Sequence, residues 1–163
     1  MGIDFSKQTL RQYLDQLSQK QPIPGGGSAA ALTAALGAGL VSMVARYSIG
    51  RKSNTKAVER RLAKIVQVSE TARKRLLALT SLDSRAYLNI VKARPKGAKA
   101  QQQAGRAAAG VGKEVCRLCY KVLDLAPYLV AKGSPYLISD IEVAAELLAA
   151  AFNSSLVMVR INQ

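Results

Sequence analysis

The sequence predicts an all-α fold: a single-domain bundle of about five helices, spanning residues 1–163, built around one central helix of small residues. Three observations carry this. Long stretches repeat apolar residues at three- and four-residue spacing, the period of a helix with one buried face. No segment alternates apolar and polar residues convincingly, so a sheet is not expected. Hydrophobic residues make up 49% of the chain, yet only 5% are aromatic and there is no Trp, so the interior rests on Ala, Leu, Val and Ile. Such a core suits helices whose backbones approach closely. A chain of 163 residues fits one domain, able to bury roughly two thirds of its unfolded surface.

The elements follow in order. Residues 1–21 show an amphipathic pattern through Phe5, Leu10, Tyr13, Leu14 and Leu17, which predicts a short helix. Asp4 and Asp15 argue against a signal peptide, whose apolar segment is not preceded by acids. MGIDFS fits the short acylation pattern at Gly2, a pattern that often matches by chance. Residues 28–45 carry no charge and reach the length of a membrane span. Ala, Gly, Ser and Thr dominate them, however, while Leu32, Leu36, Leu40, Met43 and Val44 form the stripe of larger residues. A helix surrounded by protein fits that content better than a membrane span, and Ser28 is a candidate cap for it.

A second long helix is expected from about Thr55 to Ala93, capped by Asn54 or Ser53, without Gly or Pro inside. Pro95 forbids its continuation, so RPKG reads as a turn. A third runs from about Lys99 to Leu125, weakened by Gly105, Gly110 and Gly112, with Pro127 near its end. KGSP at 132–135 is another turn. Ser139 or Asp140 then caps a last Ala-rich helix to about Val159, with Glu142 in its first turn where a negative charge suits the helix dipole.

Charge and composition exclude several chemistries. The 24 Lys and Arg against 10 Asp and Glu give a formal net charge of +14, which predicts attraction to anions. Residues 51–100 hold 14 of those cations against Glu59, Glu70 and Asp83. A solvated helix face, an electrostatic funnel for a polyanionic substrate and a nucleic-acid face all fit this pattern. The scattered tyrosines offer no stacking platform, which weakens the nucleic-acid reading. The chain has no His, so Ser-His and Cys-His nucleophile pairs and the usual zinc ligand are absent from it. Cys116 and Cys119 form one isolated CRLC, read as two buried or half-buried thiols in a reducing, cytoplasmic protein.

GGGS at 25–28 is neither a P-loop, since no G-x-x-x-x-G-K-[ST] appears, nor a Rossmann turn. Gly25, Gly26 and Gly27 do leave the backbone unencumbered at a helix N-terminus, a place that accepts carboxylate, phosphate or carbonyl oxygens. PIPGGGSAAALTAALGAGLVSMVARYSIGRK, residues 22–52, resembles the opening of the cyclodeaminase/cyclohydrolase family. LDSRAYLNIVKARPKG is similar to that family's Asp, Ala-Phe/Tyr and Pro-Lys segment. GSPYLISDIEVAAELLAAA matches its SD and V-A-A pattern, and VRIN its close. These blocks run in order from about residue 6 to 162.

The resemblance implies a homodimeric, metal-free, all-α enzyme of folate one-carbon metabolism, with the folate site between helices near the dimer interface. It implies hydrolysis of 5,10-methenyltetrahydrofolate to 10-formyltetrahydrofolate, or cyclisation of 5-formiminotetrahydrofolate with loss of ammonia, the tetrahydrofolate derivative being the substrate. Carried to matching positions, Asp140 and Asp83 become the expected catalytic carboxylates. Gly25, Gly26, Gly27, Ser28 and Ser139 become substrate-binding. Arg51, Lys52 and Lys96 are the candidates for the folate carboxylates or a polyglutamate tail. The family pattern continues past the final I-N with another long helix that these residues do not include. The competing expectation is a catalytically weak helical module whose basic face docks nucleic acid or an acidic protein.

Overall fold

A computed structural model describes residues 4–163 and shows four long helices and two short ones; Gly2 of the acylation pattern lies outside the described residues. A 3-10 turn at Phe5–Lys7 precedes α1 (Leu10–Ser18), followed by α2 (Gly26–Ser48) and α3 (Lys56–Ala93). After a 3-10 turn at Arg94–Lys96 come α4 (Ala98–Leu123) and the short α5 (Ala126–Lys132); a last 3-10 turn, Pro135–Leu137, leads into α6 (Ile138–Ile161).

The long helices form an up-and-down ring in which α2 packs on α3 and α6, and α4 packs on the same two from the opposite side. Close approaches fix the antiparallel register. Gly27 faces Asp83 and Gly39 faces Arg73 between α2 and α3, and Gly37 faces Ala144 and Leu148 between α2 and α6. Gly112 meets Val159 between α4 and α6, and Arg75 of α3 grips Glu114 of α4 through two hydrogen bonds of 2.8 Å.

The buried face of α2 is its small one. Ala31, Ala34, Ala38, Val41 and Ala45 have no exposure, whereas of the larger stripe only Val44 is buried, Leu32, Leu40 and Met43 are half-buried, and Leu36 is 54% exposed. The reason is volume. Leu62, Ile65, Leu76 and Leu79 of α3 and Leu148 of α6 fill the core, which leaves room at α2 only for Ala, Gly and Ser. Two stretches, Gly26–Ser48 and Pro135–Ile161, are long and apolar enough to cross a membrane by length and composition; 61% of the first's apolar window is buried inside the bundle, against 28% of the second's.

Several expected details differ. Thr55, not Asn54 or Ser53, caps α3 by accepting from the Val58 N–H, because Asn54 is held by the Ser48 carbonyl and Glu59. Neither Ser139 nor Asp140 caps α6; both lie in its first turn, where the preceding 3-10 turn already supplies backbone order. Ser28 does not cap α2 either, since Gly25 is the cap residue and Ser28 is wholly buried in the helix. Of the apolar face expected on the N-terminal helix, Phe5 and Tyr13 are buried and Leu10 and Leu14 are exposed.

Candidate active site

A cleft of about 520 Å³ opens where α2 begins, within the size range of small-molecule sites. Its wall comes from the loop at 21–25, Gly26 and Gly27 of α2, the later half of α3, Arg94, Ala108 of α4, and Met158, Ile161 and Asn162 at the end of α6. Asp83, Tyr87, Ile90 and Arg94 all line it, at i, i+4, i+7 and i+11, one face of a helix continued through the 3-10 turn.

Asp83 is the group with unusual chemistry. Its carboxyl lies against Gly27 so closely that a Cβ there would stand 2.5 Å from Cγ and 2.7 Å from Oδ2. No other residue type fits at position 27 with Asp83 where it is. Burial raises the Asp83 carboxyl from an ordinary 3.8 to about 6, and only the backbone N–H of Ser28 works in the other direction. A carboxylate with that midpoint is ionised at neutral pH and still basic enough to hold a proton briefly, which is what general acid–base work requires.

Around it the backbone is open. Gly25 gives α2 no side-chain cap bond, and Cβ atoms at Gly25 and Gly26 would meet nothing within 4 Å. Gly25, Gly26 and Gly27 line the cleft, at the helix end where the first N–H groups have no partner within the helix and the dipole is positive. The peptide before Pro24 is cis. Tyr87, Gln21 and Asn162 add neutral polar groups, and Arg94 adds the cation.

The structure brings together Asp83, Gly25, Gly26 and Gly27, and places Lys96 two residues beyond Arg94. It does not bring the remaining predicted residues to them. Arg51 and Lys52 follow the far end of α2, about 33 Å from Gly26 at 1.5 Å per residue. Ser139 and Asp140 start α6, whose end lines the cleft, so Asp140 and Asp83 do not share a site within one chain. Arg51 binds the Gly133 carbonyl there, in a second hollow of about 430 Å³ with Asn54, Thr55 and Lys132. Ser28 has its side chain wholly buried against Tyr13, outside the cleft, so any part it takes in binding falls to its backbone, as expected for the whole 25–28 run.

Tyr87, Ile90, Arg94, Met158 and Asn162 were not singled out from sequence. The first three were readable by stepping 4-3-4 from Asp83; the last two required knowing that α6 ends beside the start of α2. Among the described residues no three of His, Cys, Asp and Glu come together as a metal site would require. Cys119 is buried and Cys116 half-buried, both free, and burial pushes the Cys119 thiol up to about 12.

Known proteins share this sequence and geometry. The family described as formiminotransferase-cyclodeaminase matches residues 9–163. A methenyltetrahydrofolate cyclohydrolase of Methylorubrum extorquens is 35% identical over 165 residues, covering 95% of this chain and 79% of that protein. The formimidoyltransferase-cyclodeaminase of Mus musculus is 28% identical over 86% of this chain but only 28% of its own length. The crystal structure of a formiminotetrahydrofolate cyclodeaminase from Thermotoga maritima superposes with a TM-score of 0.92 at 30% identity, covering 96% of this chain and 79% of that one.

Proposed function

This chain belongs to the formiminotransferase-cyclodeaminase family, and from that premise we propose that its cleft hydrolyses 5,10-methenyltetrahydrofolate to 10-formyltetrahydrofolate. The observation that carries the reading is Asp83, a half-buried carboxylate with a midpoint of about 6, set beside the bare N-terminus of α2.

The chemistry needs one group of this kind. Water attacks the one-carbon centre of the methenyl cation as Asp83 takes its proton, and a neutral tetrahedral adduct forms. The adduct opens by breaking the bond between N5 and that carbon: the proton held by Asp83 passes to N5, the adduct's hydroxyl gives up its own proton as the carbonyl forms, and the formyl group stays on N10. One proton is released overall, because the cationic substrate becomes a product one positive charge poorer. On this reading the carboxylate also offsets the substrate's cation, and the α2 N–H groups stabilise the oxygen charge that develops. Arg94, with Lys96 beyond it, supplies positive charge for the substrate's carboxylates.

A second reading rests on the Thermotoga structure, titled a formiminotetrahydrofolate cyclodeaminase. On this reading N10 attacks the carbon of the protonated formimino group, Asp83 carries the N10 proton to the departing nitrogen, and ammonia leaves with the methenyl cation as the other product. The same carboxylate serves both.

The test is the loss of methenyltetrahydrofolate absorbance with wild-type protein, Asp83→Asn and Asp140→Ala. Asp83→Asn is expected to lose at least about 100-fold, the scale of general acid–base catalysis. No wild-type rate above the uncatalysed one overturns the first reading, and ammonia release from the formimino substrate decides the second.

A further inference from the structure

The N-terminal segment holds a buried hydroxyl pair that the mechanism above does not use. Tyr13 is 4% exposed and is the only buried residue of α1. Its hydroxyl lies 3.0 Å from Ser28 Oγ, which has no exposure at all. Ser28 is the residue whose backbone N–H favours the charged form of Asp83. The Phe5 ring meets the Tyr13 ring edge-on at 5.5 Å, and the Phe5 N–H donates to Ser81 Oγ at 2.9 Å. Ser81 lies two residues before Asp83 on α3. The segment thus touches both helices that define the carboxylate, while its larger apolar residues Leu10 and Leu14 stay outside.

We propose that Tyr13 is a positioning residue for Asp83, acting through Ser28: the hydroxyl pair fixes the first turn of α2, and with it the bare Gly27 backbone against which the Asp83 carboxyl packs. Packing alone would be met by a Phe, whose ring fills the same space. The hydroxyl adds a bond inside a closed site, where a lone Ser28 Oγ would be left without a partner. Burial first, and the Asp83 charge after it, keep the Tyr13 phenol neutral, so the pair transmits position and carries no charge of its own. The titratable or charged groups near Asp83 are Tyr13 of α1, Tyr87 of its own helix and Arg94 in the following turn; the loop at 21–25, the start of α2, α4 and α6 offer the cleft uncharged residues only.

The proposal rests on the reading of Asp83 as the proton-transfer group, and its experiment has two independent readouts. The first is the Asp83 titration, followed by carbon NMR in protein labelled at the Asp carboxyl carbon and assigned with Asp83→Asn. The second is the pH profile of methenyltetrahydrofolate hydrolysis. In Tyr13→Phe the Asp83 midpoint is expected to rise by about half a pH unit, the scale of one neutral hydrogen bond. The acid limb of kcat should follow it, with kcat falling roughly three- to tenfold and KM little changed. Ser28→Ala should reproduce the shift, and the double variant should add nothing, since both remove one bond.

Leu62→Ala is the stability control, buried on α3 about 30 Å from Asp83 by helical rise; it lowers Tm and leaves the midpoint alone. An unmoved Asp83 midpoint in Tyr13→Phe overturns the proposal, as does a shift in Leu62→Ala of equal size. A wild-type protein without hydrolysis, but with the NMR shift present, overturns the function instead and leaves the positioning in place.

Discussion

Replacing Gly27 with Ala tests the cleft with one methyl group. Gly27 lies in the first turn of α2, and its backbone is not in the left-handed region, which is occupied only at Gly50 and Gly97 among the described residues. Alanine there gains about 0.5–1 kcal/mol of helix preference over glycine. Against that, the new Cβ would stand 2.5 Å from Asp83 Cγ and 2.7 Å from Oδ2. Asp83 Oδ1 would be closer still, so reaching an ordinary contact of about 3.5 Å moves the carboxyl by more than about 1 Å, and a 1 Å misplacement of a reacting group costs on the order of 100-fold in rate. The expected result is a kcat near one hundredth of wild type with Tm changed by only a few degrees, because propensity offsets part of the displacement. Moved outward into solvent, Asp83 also sheds some of the burial that raises it, so the acid limb falls below pH 6. Initial rates of methenyltetrahydrofolate loss across pH 5–8, with a thermal melt, measure all three. A Gly27→Ala protein with wild-type kcat/KM would refute the reasoning, since the carboxylate would then work equally well from another place.

Other consequences are open to measurement. Asp83 binds its proton more tightly in the folded chain, with a midpoint of about 6 against an ordinary 3.8, so its contribution to stability is full below pH 3.8 and is lost as pH rises through 6. Asp83→Asn should therefore raise Tm at pH 8 and leave it nearly unchanged near pH 4; the shift is worth about 3 kcal/mol unscreened, and about 1–2 kcal/mol once partial solvent contact is allowed for. Arg94→Gln should raise KM about three- to tenfold with little change in kcat, and flatten the salt dependence of KM, if the guanidinium meets substrate carboxylates. Gly37→Val should destabilise the fold by about 1–3 kcal/mol in chemical denaturation, because even a Cβ there would lie 2.8 Å from Leu148 Cγ and 3.1 Å from the Ala144 carbonyl.

The helices were legible because their signals are local. The stretch from 56 to 93 repeats its apolar residues at the helical period and ends at Pro95, and the observed α3 agrees to within a residue. Caps were less legible, since Ser53, Asn54 and Thr55 are all good candidates and the choice among them depends on where Ser48 and Glu59 lie. The site was half legible. The resemblance pointed to Asp83 and the glycines together, and the structure adds the reason, a carboxyl that fits only against a bare Cα. The separation of Asp140 and Arg51 from that cleft was not readable, because it follows from the antiparallel return of each helix and not from any residue in it. The exposure of Leu36 in the α2 stripe was not readable for a related reason: a large apolar residue marks a core only when the neighbours leave it space.

That stripe has a consequence for how this chain tolerates change. In most helices a mutational scan finds the large apolar positions intolerant and the alanines forgiving. Along α2 the ranking should invert: Leu36, with half its surface in solvent, accepts polar replacements, while Ala31, Ala34 and Ala38, with no exposure, reject even a single added methyl. Drift in this helix is therefore free to rewrite the side the solvent sees, whereas the inner side is held at the smallest residues by the three helices around it.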